Sequence, residues 1–208
     1  MVSGPPNRIL ILFAHPRFEQ SRVNRALIQA AGTLPTVTLR DLYELYPDFN
    51  IDVEREQKLL AAHEILVWQF PFYLYGAPAL LKQWLDLVLV FGWAHGPGGE
   101  ALQGKIVFSA VTTGGTRLSY GPGGYNRFPL GDLLLPFAQT AALCRMTFLP
   151  PFAVQGTYRL TTEQLAGEAG RYRTLLEGLA GGGFDTASLQ RLTLLNDALA
   201  AEGGEEGP

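Results

Sequence analysis

The sequence carries one cysteine, Cys144, and three histidines, and neither scarcity is offset elsewhere in the chain. A lone cysteine cannot close an internal disulfide, and without partners at ligand spacing it does not make a zinc site, so it reads as a buried apolar residue. His15, His63 and His95 show no metal-helix spacing, which argues against a metal centre. Charge is scarce too. Lys and Arg total 16 against 19 Asp and Glu, for a formal charge of −3 and no basic run, so a nucleic-acid footprint is missing. The opening "MVSGPPNRIL" lacks the charged and apolar regions of a secretory signal, which leaves a cytoplasmic protein as the expectation.

Apolar runs long enough to cross a bilayer are missing as well. "ILVWQFPFYLYGAPALL" (Ile65–Leu81) is uncharged from end to end, yet Pro71, Gly76 and Pro78 interrupt it, and a spanning helix needs about 20 apolar residues with intact backbone bonding. The stretch is therefore core, or the wall of a site for something flat and apolar.

What the sequence does have is alternation. "RILILFA" (8–14), "TVTLRDL" (36–42), "EILVWQF" (64–70), "KIVFSAVT" (105–112) and "MTFLPPFAV" (146–154) read as strands, most of them apolar on both faces. Between them lie helical patterns at 21–32, 77–92 and 130–144, with two more at about 162–180 and 186–201. Strand–helix alternation of this kind predicts an α/β, doubly wound, five-stranded parallel sheet of flavodoxin-like order 2-1-3-4-5 with helices on both faces. One domain over 8–201 is expected, with a flexible segment at 1–7 and a disordered Gly- and Glu-rich tail at 202–208.

In such sheets ligands sit outside the carboxyl ends of the strands, where crossovers diverge. Three loops there stand out. "AHPRFEQSRVN" leads into a helix at Ser21, whose free N–H groups could hold an anion together with Ser21, Asn24 and His15; Ser21 serves equally well as a plain N-cap. Glu19 opposes an anion unless it points outward. "PFYLYGAP" places Phe72, Tyr73, Leu74 and Tyr75 in a row that cannot all point inward, so the loop either takes a planar ligand or packs against protein. "TTGGTRLSYGPGGYN" ends a strand with Thr112 and Thr113, allows close approach at Gly114 and Gly115, and brings the Tyr120 hydroxyl after them.

Other motifs fail on context. Gly99 to Lys105 spells G-x-x-x-x-G-K, but Ile106 stands where Ser or Thr is required and the run precedes a strand; Gly96 to Ala101 mimics a dinucleotide fingerprint equally out of place. "DFNID" has Val53 where a calcium loop needs Gly. The acids Asp52, Glu54 and Glu56 read as a solvated helix start. The helix at 77–92 is apolar around most of its circumference (Leu80, Leu81, Trp84, Leu85, Leu87, Val88, Leu89), more than one sheet face is expected to cover, which predicts a homodimer.

Taken together, "HPRFEQSRVN", "WQFPFYLYGAPALLKQW" and "TTGG…SYGPGGYNRF" resemble the FMN-contacting loops of flavodoxin-like NAD(P)H:quinone oxidoreductases, the DT-diaphorase group. With "DLYELYPDFNIDVEREQKLL" and "FLPPFAVQGT" the closest likeness is to the ancillary oxidoreductases of Kef-type bacterial potassium-efflux systems. The resemblance implies that His15, Ser21, Val23 and Asn24 contact an FMN phosphate, that Pro71, Phe72, Tyr73, Leu74 and Tyr75 line the isoalloxazine through backbone N–H groups, and that Thr112, Thr113, Gly114 and Gly115 complete the site. It implies ping-pong hydride transfer from NADH or NADPH to a quinone, with Tyr120 as a catalytic residue. Where that family pairs the tyrosine with a histidine, this chain has Tyr125 and Asn126, and Asn126 can donate a hydrogen bond but not gain a proton near neutral pH. A homodimer is implied, and the Kef likeness adds a membrane transporter as partner, which would hold the protein at the inner membrane. The other function class it implies is a regulatory subunit with little turnover. A carrier flavodoxin is disfavoured, since the first loop lacks a Thr-rich phosphate cradle.

Overall fold

The computed structural model describes residues 4–199. The segment expected to form a disordered tail lies outside them, as do residues 1–3 of the expected flexible start. Six strands build one parallel sheet: β1 (Ile9–Phe13), β2 (Val37–Asp41), β3 (Ile65–Pro71), β4 (Ile106–Thr113), β5 (Thr147–Phe148) and β6 (Phe152–Gln155). The order is β2-β1-β3-β4-β5, with β6 also on β4. This is the flavodoxin-like order read from the sequence, with its fifth position split in two. Ile106 and Val107 pair with Thr147 and Phe148, and Ala110 pairs with Phe152, so Leu149–Pro151 oppose only Phe108 and Ser109. The extra residue is a bulge, placed where Pro150 and Pro151 have no N–H to give the ladder.

The helices are α1 (Arg22–Gly32), α2 (Leu42–Leu45), α3 (Val53–Ala61), α4 (Ala79–Val88), α5 (Leu130–Leu133), α6 (Leu135–Leu143), α7 (Thr162–Ala180) and α8 (Thr186–Leu189). On one face of the sheet Ile9, Ile11, Val67 and Phe108 pack against Leu27 of α1 and Tyr172 and Leu175 of α7. On the other, Leu10, Leu12, Trp68 and Val107 meet Leu60 of α3, Leu80 and Trp84 of α4 and Phe137 of α6. Successive strand residues thus face opposite cores, which is why β1 is apolar throughout and β3 is interrupted only by Gln69. Helix α1 buries Val23, Leu27 and Ala31 at four-residue spacing, and α7 opens on a capping box between Thr161 and Gln164.

Three sequence expectations are corrected. Helix α4 ends at Val88, and the chain covers its apolar surface unaided: Leu80, Leu81, Trp84, Leu85, Val88 and Leu89 are buried and Leu87 alone is 42% exposed. The cover comes from the α2–α3 segment, where Phe49 accepts from the Gln83 amide and Gln57 donates to the Val88 carbonyl. Glu56 is not solvated. It is fully buried between Arg40, the Tyr46 hydroxyl at 2.7 Å and the Trp84 indole N–H at 3.0 Å. Of the helix expected over 186–201, the described residues 186–199 form only α8 and a 3-10 turn at Leu195–Leu199, and residues 200 and 201 lie outside the described residues. There the Asn196 amide clasps both the N–H and the C=O of Ala153, and Leu195 donates to Pro151, so pairing with the sheet edge displaces helical bonding.

Candidate functional site

The three loops named from the sequence meet at the carboxyl rim of β1, β3 and β4. His15, Ser21, Val23, Pro71, Phe72, Tyr73, Leu74, Thr112 and Gly114 surround a cavity of about 850 Å³. A second hollow of about 400 Å³ shares Phe72, Leu74 and Gly114 with it and runs on to Tyr75, Gly115, Tyr120, Tyr125 and Asn126. Volumes of this size are usual for small-molecule sites.

One end of the cavity is built for an anion. Ser21 caps α1 by accepting the Asn24 N–H at 3.2 Å, and the first turn of the helix holds no acid. The N–H groups of Arg22 and Val23 have no acceptor among the described residues and sit at the positive end of the helix dipole. His15 is buried, and its Nδ1 accepts the Arg17 N–H at 3.1 Å. Burial pulls its pKa below the ordinary histidine value against the opposing charge of Glu19, so the ring is neutral with its proton on Nε2, a donor. Glu19 is exposed and does not line the cavity.

Asn24 is placed beneath this corner rather than on its wall. It is buried, and its Nδ2 donates to Ser21 Oγ (3.3 Å) and Thr112 Oγ1 (3.0 Å), while its Oδ1 accepts from Gln69 Nε2 at 3.4 Å. Gln69 in turn accepts the Tyr172 hydroxyl at 2.9 Å. Thr113 is likewise turned inward, donating to the Gly115 carbonyl at 2.7 Å.

The second loop is strained. Leu74 and Tyr75 have φ of 43° and 68°, and Gly76 donates to the Tyr73 carbonyl at 3.1 Å, which defines a type I′ turn made without Gly or Asn at its centre. Non-glycine residues held this way cost about 1–3 kcal/mol each and concentrate at functional sites. The expectation that Pro71–Tyr75 all present N–H groups is narrowed: proline has none, and those of Phe72 and Tyr73 go to the Thr112 and Pro71 carbonyls. The N–H groups of Leu74 and Tyr75 have no acceptor among the described residues, and Leu74 is 94% exposed.

At the far end, Phe72 packs 6.5 Å from Tyr120 and 6.4 Å from Tyr75, ring centre to ring centre. Burial raises the Tyr120 pKa against the effect of its hydrogen bond with Thr113, which keeps the phenol protonated. The Tyr75 hydroxyl donates to Asn126 Oδ1 at 3.2 Å, and Asn126 is anchored through its N–H to Ser119. Gly114 lies under the Tyr158 ring, 2.8 Å from where a Cβ would fall, so any side chain there would displace the tyrosine.

Sequence reading missed Tyr158, which lines the cavity from a fourth loop after β6, and the pair Gln69–Tyr172. A signal existed for each: "GTYR" follows the last strand at the same rim, and Gln69 is the one amide in β3. Among the described residues no group of three or more His, Cys, Asp or Glu side chains could hold a metal. No helix among them is long and apolar enough to cross a membrane.

Residues 7–176 match the family model for the flavodoxin-like fold. The chain is 50% identical over 171 residues to the glutathione-regulated potassium-efflux system ancillary protein KefG of Pectobacterium carotovorum subsp. carotovorum, covering 82% of this chain and 93% of that protein. Among solved structures, general stress protein 14 of Treponema denticola, determined in complex with FMN, is 38% identical with a TM-score of 0.80, covering 83% of this chain and 99% of that one. An NADPH-quinone reductase from P. pentosaceus is 31% identical with a TM-score of 0.74, covering 80% and 96%.

Proposed function

Since the chain belongs to the family of flavodoxin-like proteins matched over residues 7–176, we propose that it is an FMN-dependent NAD(P)H:quinone oxidoreductase. The observation that carries the reading is the cavity itself: one end offers uncommitted anion donors, and the other is walled by aromatic rings and free backbone N–H groups. That donor set fits a phosphorylated flat ring. The solved relative from Treponema denticola, in complex with FMN, supports the cofactor, and the P. pentosaceus reductase supports the reaction class.

In this reading Ser21, Thr112, His15 Nε2 and the N–H groups of Arg22 and Val23 hold the phosphate, and the Leu74 and Tyr75 N–H groups face the ring. When bound, FMN supplies a two-electron carrier between a nicotinamide donor and a quinone acceptor. The protein's part is position and electrostatics. Burial keeps the Tyr120 hydroxyl protonated against the opposing effect of Thr113, and Tyr75 orients Asn126 through its Oδ1, leaving the Asn126 amide nitrogen free to donate. Exposed Leu118, Tyr125 and Phe128 beside the second hollow are the apolar surface that a second copy would cover, completing a homodimer.

Turnover is the test. Purified protein supplemented with FMN should oxidise NADH or NADPH only when a quinone is present, and a flat line with both donors and several quinones would end the enzymatic reading. Sedimentation as a monomer at micromolar concentration would remove the dimer.

A second reading is favoured by the KefG relative, whose name places it in a potassium-efflux system. Here the protein acts as a cytoplasmic ancillary subunit of such a transporter, with flavin occupancy serving the complex. Co-purification with the transporter's cytoplasmic portion tests it independently of turnover.

A further inference from the structure

The buried chain beneath the anion corner has a direction. Tyr172 donates to Gln69 Oε1, Gln69 Nε2 to Asn24 Oδ1, and Asn24 Nδ2 to both Ser21 Oγ and Thr112 Oγ1. Ser21 Oγ also takes the Asn24 N–H. Both hydroxyls are therefore acceptors toward the interior, and neither of their own hydrogens has a partner among the described residues, so both are free to point into the cavity, which Ser21 and Thr112 line. Turned around, the same chain would place Asn24 Oδ1 against the two hydroxyls and draw their hydrogens inward. The cavity would then meet lone pairs, which repel an anion.

Tyr172 decides between the two arrangements. It is fully buried beside Phe152, at 5.0 Å between ring centres, and its hydroxyl has Gln69 as its one partner among the described residues. As a donor the phenol satisfies its O–H. As an acceptor it would leave that O–H unpaired in an apolar interior, and a buried unmade donor is costly. Gln69 is then held with Oε1 toward Tyr172, and Asn24 follows.

We infer that Tyr172, reaching in from α7 on the same face of the sheet as α1, is a positioning residue that sets the donor polarity of the anion corner through Gln69 and Asn24. The inference deepens the proposed function, because the ligand at that corner is the phosphate of the flavin. Tyr172→Phe keeps the ring and its packing, and frees Gln69 to reverse. The affinity for FMN relative to riboflavin, both measured by fluorescence quenching on one preparation, should fall about tenfold, the scale of one hydrogen bond to a charged group. Riboflavin lacks the phosphate, and an unfolded fraction would weaken both ligands alike, so the ratio isolates the corner. Gln69→Met, which removes both amide partners at similar volume, should lower the ratio likewise.

A second measurement needs no flavin. Inorganic phosphate should raise the melting temperature of the wild-type protein and raise that of Tyr172→Phe less. If the wild type binds FMN and the ratio is unchanged in both variants, the polarity inference falls while the functional reading stands. If no flavin binds but phosphate distinguishes the proteins, the functional reading falls and the inference stands. If neither flavin nor phosphate binds the wild type, both fall.

Discussion

Two buried polar networks flank this sheet, and each lies beside a hollow of similar size. Under β2, Arg40, Glu56, Tyr46 and Trp84 close on one another near a hollow of about 610 Å³ lined by Thr38, Arg40, Asp52, Arg55 and Lys58. Beneath the rim, Tyr172, Gln69 and Asn24 end on two hydroxyls that face about 850 Å³ with hydrogens to spare. The helix starts repeat the contrast. Asp52 caps α3, with Glu54 and Glu56 in its first turn, whereas α1 begins at a neutral serine with no acid. A carboxylate at a helix N-terminus occupies the place that an external anion would take. The first network closes its charges on one another and leaves only Arg40 Nε without a partner among the described residues, whereas the second ends on hydroxyls that lack an acceptor.

The largest test of that contrast is to break the closed network. Glu56→Leu leaves the Arg40 guanidinium buried and unpaired, which should cost about 3–5 kcal/mol in urea unfolding while the folded fraction binds FMN unchanged. Tyr46, whose pKa burial and then Glu56 push up to about 12, loses an acceptor in the same variant. A loss below about 1 kcal/mol would show that the cluster is not a closed structural unit.

Paired cap removals sharpen the comparison. Ser21→Ala and Asp52→Ala each delete an N-cap worth about 1 kcal/mol, so their melts should shift alike. Only Ser21→Ala should weaken FMN binding, by about tenfold. Equal FMN affinity in the two variants would remove Ser21 from the corner. In the second loop, Leu74→Gly relieves a left-handed leucine with little buried surface to lose. It should stabilise the ligand-free protein by about 1 kcal/mol and loosen FMN binding.

The smallest effect is on pH. Burial lowers the His15 pKa in the folded protein, so as pH falls below 6.5 the unfolded chain takes up this proton first. The stability contributed by neutral His15 is full above that pH and is lost as pH falls through the folded value. Urea midpoints at pH 7.5 and pH 5 should therefore differ less for His15→Asn than for the wild type, by a fraction of the total acid effect.

Much of the fold was legible because its signals are local. Strands buried on both faces are mostly apolar, and Ser21 and Gly32 mark the ends of α1. The rim loops were legible for the same reason, each being an unusual run of neighbours. What escaped is what depends on distant partners. Glu56 reads as a surface acid until Arg40 and Trp84 fold over it, and α4 reads as too apolar until α2 and α3 cover it. Asn24, Gln69, Thr112 and Tyr172 belong to four separate elements or loop starts, and nothing in their local sequence announces that they touch. Asn24 shows the limit most sharply. Its spacing from Ser21 points to ligand contact, whereas its amide is spent on the groups that make the contact possible.

A crystal structure of the protein grown with excess FMN tests the account most directly. Phosphate density within hydrogen-bonding reach of Ser21, Thr112 and the Arg22 and Val23 N–H groups is the predicted result. A rim without flavin density, or flavin seated instead in the hollow between β2 and α3, would contradict it.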